Sequence, residues 1–155
     1  MSDPHFHVVL IEPEIPQNAG TIGRMCVATK SSLHLVKPLG FSIDAKAVLR
    51  AGLDYWEHLD LRVHESLDDF MNTLPQNAPL VLIETRAGKT IYEHAFAPGS
   101  YLIFGKETTG IPEWFLQQQS QHLARIPMFD ARVRSINLSN SVGIALYEAI
   151  RQSTA

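Results

Sequence analysis

The sequence predicts an α/β fold: a mostly parallel six-stranded sheet with helices on both faces. Two observations carry this. Six short, mainly apolar runs recur along the chain, and the segments between them repeat their apolar residues at helical spacing. Strands that are apolar over their whole length belong in sheets covered on both sides, and alternation of strands with helices makes such a sheet parallel.

The elements follow in order. Phe6–Ile11 reads as a buried strand. Pro16-Gln17-Asn18 opens a helix with Ile22, Met25, Cys26 and Thr29 on one face. Leu33–Val36 is a second strand, closed by Pro38. Asp44–Leu53 has a helical pattern, with Ala45, Val48, Leu49 and Gly52 inward. Leu59–Val63 is a third strand. Ser66-Leu67-Asp68-Asp69 has the form of a capping box, because Ser66 can accept the N–H of the acid three positions on; it opens a helix to Leu74. Leu80–Ile83 and Tyr101–Phe104 are two further strands, Pro112 suits the first turn of a helix to about Gln119, and Leu123–Ile126 is the sixth strand. The last helix is Ser139–Gln152.

Composition is compatible with this. The 155 residues make one domain, 1–155, with 45% hydrophobic and 19% charged residues, which is globular and not disordered. No apolar stretch approaches the roughly 20 residues that cross a bilayer, and Met1-Ser2-Asp3-Pro4 does not open a signal peptide, so no membrane association is expected. Cys26 is the only cysteine, which excludes an internal disulfide framework and fits a cytoplasmic location. His5 and His7 share a face of the first strand, but two histidines without a third ligand make a weak metal signal, and no metal is expected. The net charge of −3 is a poor start for a nucleic-acid binder; basic residues would have to be gathered locally or shared between two subunits.

In parallel folds ligands bind beyond the carboxyl ends of the strands, which directs attention to three loops. In Glu12–Arg24, Asn18 can cap the next helix or hold a loop carbonyl, and Gly20 and Gly23 admit a close neighbour, backbone or ligand. Arg24 turns about 200° away from Ile22 and leaves the apolar face, as a plain exposed arginine would. Neither a dinucleotide fingerprint nor a P-loop is present. In Gly105–Pro112, a glycine at the strand end lets a flat ligand lie against backbone, with Glu107 beside it; a tight turn with Glu107 paired to a lysine is the plainer alternative. In Pro127–Asn140, Arg132, Arg134, Ser135, Asn137, Ser139, Asn140 and Ser141 crowd into ten residues. A helix cap needs one such residue, so the surplus points to a ligand held by many neutral hydrogen bonds, with arginines ready for phosphate.

Taken together, Asn18…Arg24, Phe104-Gly-Lys-Glu107 and Arg134-Ser-Ile-Asn-Leu-Ser-Asn140 resemble the three motifs of the SPOUT superfamily of RNA methyltransferases. Glu12-Pro-Glu-Ile-Pro-Gln-Asn18, Arg50-Ala-Gly-Leu-Asp-Tyr55 and Tyr147-Glu-Ala-Ile-Arg-Gln152 are similar to its single-domain subgroup, the tRNA (cytidine/uridine wobble)-2′-O-methyltransferases. The resemblance covers essentially the whole chain. It implies a C-terminal deep trefoil knot, a homodimer, a tRNA substrate, and S-adenosyl-L-methionine as cofactor with S-adenosyl-L-homocysteine as product. By motif it implies Glu84, Gly105, Ile126 and Ser135 as cofactor-binding residues. Arg24, Glu107, Ser135 and Asn137 fall at the catalytic positions, and Asn18, Arg24, Arg132, Arg134 and Tyr147 at RNA-handling ones.

The implied reaction moves a methyl group from a sulfonium to a ribose 2′-hydroxyl, with positioning supplying much of the rate. Arg24 is the expected activator, by orienting the oxygen through a neighbouring phosphate and stabilising its developing charge; an arginine is too basic to act as an ordinary base, and a phosphate taking the proton is the alternative. A patch of Arg24, Arg132, Arg134 and Arg151 would reconcile the acidic chain with RNA. The alternatives are a SPOUT enzyme acting on another RNA and a non-catalytic RNA-binding homodimer.

Overall fold

A computed structural model describes residues 5–44 and 54–154. Six strands form one sheet: β1 (His7–Ile11), β2 (Ser32–Val36), β3 (Leu61–His64), β4 (Leu80–Ile83), β5 (Tyr101–Phe104) and β6 (Leu123–Ala124). The order is β3-β2-β1-β5-β4-β6, and every pairing is parallel. The helices are α1 (Pro16–Ala28), α2 (Leu67–Thr73), α3 (Glu113–Gln118) and α4 (Leu138–Thr154). The helix expected over Asp44–Leu53 falls, beyond Asp44, outside the described residues.

Because side chains alternate along a strand, the sheet has two apolar faces. Val8, Leu10, Leu33, Leu35, Leu102 and Phe104 meet Ile22 and Cys26 of α1 and Val142, Ala145, Leu146 and Ala149 of α4. Val9, Ile11, Val36, Leu82 and Ile103 meet Leu67 and Phe70 of α2 and Phe115 and Leu116 of α3. The central strands are buried on both sides, which is why β1, β2 and β5 read as mainly apolar runs.

Several boundaries differ from the sequence reading, each for a local reason. β3 begins at Leu61, because Leu59 instead closes a 3-10 turn, Trp56–His58, that packs on α1. β6 is only two residues long. At Arg125 the chain leaves β4 and pairs with the loop that follows β4: Arg125 N–H donates to Lys89 O (2.8 Å) and Ile91 N–H to Arg125 O (2.8 Å). Thr29 caps the C-terminus of α1, its hydroxyl donating to Met25 O, and so is not on the inward face. Pro112 precedes α3 as its cap; its carbonyl accepts the N–H groups of Phe115 and Leu116. The capping box is formed as expected, Ser66 Oγ accepting the Asp69 N–H at 3.0 Å.

One buried polar feature was not anticipated. His7 Nδ1 lies 2.9 Å from His34 Nε2, and His34 Nδ1 lies 3.0 Å from His64 Nε2, so three imidazoles form a chain across β1, β2 and β3. Tyr101 stacks on His7 at 3.9 Å between ring centres, and Phe70 packs edge-on against His34 and His64. Burial lowers the His7 pKa to about 4 and that of His34 to about 3.

Candidate functional site

Strand order reverses direction between β1 and β5, so the loops leaving these two neighbours diverge and open a crevice at their carboxyl ends. Here the first and second loops are stitched together. Glu107 accepts the N–H groups of Glu14 (2.8 Å) and Ile15 (2.9 Å), and Asn18 Nδ2 donates to it at 3.1 Å. Glu14 reciprocates by accepting the N–H and hydroxyl of Thr108 (3.1 and 2.7 Å), and Lys106 Nζ lies 3.6 Å from Glu12. Burial works against the charge on Glu107, but the donated hydrogen bonds prevail and hold its pKa below the usual carboxylate range. Glu107 is thus paired with backbone and an amide, not with a lysine.

The third loop joins the same network. Asn137 Nδ2 donates to Asn18 Oδ1 at 3.3 Å, while Asn137 Oδ1 accepts the Asn140 N–H (3.2 Å) and the Ser139 hydroxyl (2.6 Å). Asn137 is therefore the N-cap of α4, which is why that helix starts at Leu138. Part of the polar surplus in this loop is consumed by capping: Ser139 bonds the cap itself and the Ser141 hydroxyl donates to Ile136 O. Asn18 neither caps α1, whose N-cap is Ile15, nor holds a loop carbonyl; it is 7% exposed and links the other two loops.

Next to this network, beyond the ends of β5, β4 and β6, is a cleft of about 650 Å³. Its floor is apolar, with Ile83, Ile111, Ile126, Met128 and Leu138; its polar groups include Glu84, Glu107, Thr109, Arg134, Ser135 and Asn137. Gly105 lines it too, but its missing side chain serves the turn. A Cβ there would sit 2.0 Å from the Gly110 carbonyl carbon, because the chain folds back over it through a Lys106–Gly110 bridge. Arg86 spans the rim, donating to Glu84 (2.7 Å) and Glu113 (2.9 Å), and these contacts raise its pKa.

Of the residues singled out in the sequence, Asn18, Glu84, Gly105, Glu107, Ile126, Arg134, Ser135 and Asn137 meet at this cleft. Arg24, Arg132 and Tyr147 do not line it. Arg24 lies on the exposed side of α1 with its guanidinium over the Tyr55 ring, 5.9 Å from the ring centre. Arg132 is held by Asp130 through contacts as short as 2.6 Å, and Arg151 by the buried Glu148. Tyr147 stands out from α4, 52% exposed. Of the four arginines named for a common patch, Arg132 and Arg151 are thus paired with carboxylates of their own chain.

Residues 5–147 match the SpoU rRNA Methylase family. The chain belongs to that family. A relative within it, the tRNA (cytidine(34)-2′-O)-methyltransferase of Burkholderia ambifaria, is 41% identical over 150 residues, 96% of each chain. A solved structure described as giving insights into the 2-OH methylation of C/U34 on tRNA superposes with a TM-score of 0.92 at 44% identity, covering 99% of both chains. The SpoU methyltransferase AviRb of Streptomyces viridochromogenes, solved with AdoMet, shares the fold (TM-score 0.84, 23% identity); it is matched over all of this chain and 60% of its own.

Some residues of this SpoU chain's cleft went unnoticed in the sequence: Ile15, Thr85, Arg86, Thr109, Met128 and Glu113. Ile15, Thr109 and Met128 lie within the three loops that the sequence selected, and a signal existed for two of the others. Thr85 and Arg86 directly follow an apolar strand, Leu80–Ile83, and so lie at a carboxyl end by the same rule that selected the other loops.

Proposed function

We propose that this protein transfers a methyl group from S-adenosyl-L-methionine to the ribose 2′-hydroxyl of the wobble nucleotide, C or U, in the anticodon loop of tRNA. The observation that carries the reading is the convergence of all three loops, through Glu107, Asn18 and Asn137, on one cleft at the strand ends. It is supported by relatives 41–47% identical over nearly the whole chain whose names give 2′-O-methylation of cytidine 34 in tRNA.

The cleft fits the cofactor on the chemistry of its lining. The floor of Ile83, Ile126 and Leu138 suits a purine, Glu84 can accept from ribose hydroxyls, and the Ser135 hydroxyl and nearby backbone can hold the amino-acid end. When bound, the cofactor supplies a methyl group on a positively charged sulfur. Glu84, Gly105, Ile126 and Ser135 bind and orient it. Glu107 and Asn18 keep the first loop in place. Asn137 caps α4 and fixes the loop that carries Ser135. Arg134, which has no acidic partner among the described residues, is available to an RNA phosphate.

Arg24 orients the 2′-oxygen and stabilises the charge that develops there. Since it does not line the cleft of its own chain, a second copy brings it to the reaction centre, and the active unit is a homodimer. Ile144 and Tyr147, exposed one turn apart on α4, support an interface there. The knot expected in the C-terminal segment is part of this reading. It is supported by the path of the chain, which runs from the sheet edge at β6 back through residues 127–137 to α4, packed against α1. Among the described residues no helix is long and apolar enough to cross a membrane. The cytoplasm, where tRNA is modified, is the proposed location.

Nucleoside mass spectrometry of tRNA from a deletion strain tests the function. Loss of a wobble 2′-O-methyl group is expected; loss of a methyl from ribosomal RNA instead would move the substrate, and no loss with intact S-adenosyl-L-homocysteine binding would leave a silent RNA-binding protein.

A further inference from the structure

We propose that Tyr55 is a positioning residue for Arg24, holding the guanidinium on its ring face so that every N–H donor stays free for the substrate. The inference rests on the role given to Arg24 above.

Three contacts hold the segment from Tyr55 to Leu59 against α1. Its hydroxyl donates to the Gly20 carbonyl. The next residue, Trp56, lies against Gly23, where a Cβ would come within 3.0 Å of the indole, and Leu59 closes the same contact at 3.3 Å. Gly23 therefore admits a protein segment, not a ligand, and Gly20 offers its carbonyl to the same segment. Gly20 O is also the acceptor one helical turn before the Arg24 N–H, so Tyr55 is anchored on the turn that carries Arg24. Its ring then lies under the guanidinium at 5.9 Å. Burial pushes the phenol pKa up, which keeps the hydroxyl a donor.

The chemistry of this support differs from that of an ion pair. Arg86, Arg132 and Arg151 are each oriented by carboxylates that occupy their donors and offset their charge. Among the described residues Arg24 has no carboxylate partner. A π face attracts the cation through the ring quadrupole and leaves the in-plane N–H groups open. A group that must meet a phosphate or a developing oxyanion needs that combination of fixed direction and full charge.

The test uses the purified full-length enzyme with tRNA. Tyr55→Leu is expected to lower kcat about tenfold, with the KM for S-adenosyl-L-methionine within twofold of the parent. In an Arg24→Ala background the same change should have no further effect on kcat. A second series guards against a folding defect: phenylalanine and its mono-, di- and trifluorinated analogues are placed at position 55. Fluorination keeps shape while draining the ring quadrupole, so kcat should fall stepwise by about threefold overall. A flat series, or multiplicative losses in the double variant, would overturn the inference and leave the role of Arg24 standing. Near-normal kcat in Arg24→Ala would overturn both.

Discussion

Asn18 Nδ2 donates to Glu107 Oε2 at 3.1 Å, and both groups sit between loops rather than in open solvent. Through its other amide atom Asn18 reaches Asn137, so one buried asparagine ties the exits of β1 and β5 to the start of α4. The carboxylate of Glu107 is taken up by donors from the first loop. Its contribution is best tested as scaffold.

Glu107→Gln keeps the size but puts an NH2 group where only an acceptor fits. We expect a loss of about 1–2 kcal/mol, since bonds to a charged acceptor are worth more than neutral ones and this one is half-buried. Urea unfolding measures it, and a weaker affinity for S-adenosyl-L-homocysteine in calorimetry should accompany it. Stability equal to the parent would show that the clasp is not formed in solution.

Acidity should act on the histidine chain. The pKa of His7 is lowered from about 6.5 to about 4 by burial and then by His5 and Arg62, and that of His34 to about 3 by burial and then by His7, His64 and Arg62; Asp60 opposes both shifts. His64 is lowered too, by burial and then Arg62. The unfolded chain therefore takes up protons before the folded one does. The stabilisation is full above about pH 6.5 and is lost as the pH falls toward 4, at up to about 1.4 kcal/mol per pH unit for each histidine. Urea midpoints at pH 7.5, 6 and 5 should decline, and His34→Phe should flatten the decline.

Gly105→Ala should disrupt the turn after β5, because the added carbon would collide with the Gly110–Ile111 backbone at 2.0–2.1 Å. The expected cost is about 1–3 kcal/mol, with loss of cofactor affinity. Gly88 is the control: nothing lies within 4 Å of the equivalent position, so Gly88→Ala should be neutral or slightly stabilising in a thermal melt.

Binding of an anticodon stem-loop should depend only mildly on salt. With Arg24 and Arg134 the arginines named for RNA that no carboxylate holds among the described residues, two to four phosphate contacts per site give a slope of roughly −1.5 to −3 in log K against log salt. Arg134→Ala should reduce the slope by about 0.7, and Arg132→Ala, whose guanidinium Asp130 already holds, by less. A slope near −7 would mean an RNA surface much larger than these residues provide.

The period of apolar residues in β1, β2 and β5, and in α1 and α4, is set by burial of one face or both, and it was readable because that rule is local. So were the cap at Ser66 and the loops at the strand ends. Partner choice was less legible. Nothing in the spacing of Glu107 distinguishes a carboxylate facing a ligand from one binding the N–H groups of residues 14 and 15, 93 and 92 positions away. The chain of His7, His34 and His64 was hidden for the same reason: only the parallel register of three strands brings those rings within 3.0 Å.

Local pattern and motif thus determined the class of fold, the sheet, the three loops and the family. Tertiary structure decided which polar groups are used up and which remain free. It assigned Asn137 to a helix cap, Arg132 to Asp130 and Gly23 to Trp56, and it left Arg24 on an aromatic face outside its own cleft. The physical reason is that apolar burial follows a short repeat along the chain. The hydrogen bonds of a buried or half-buried polar group depend instead on which distant donors the fold brings within about 3 Å.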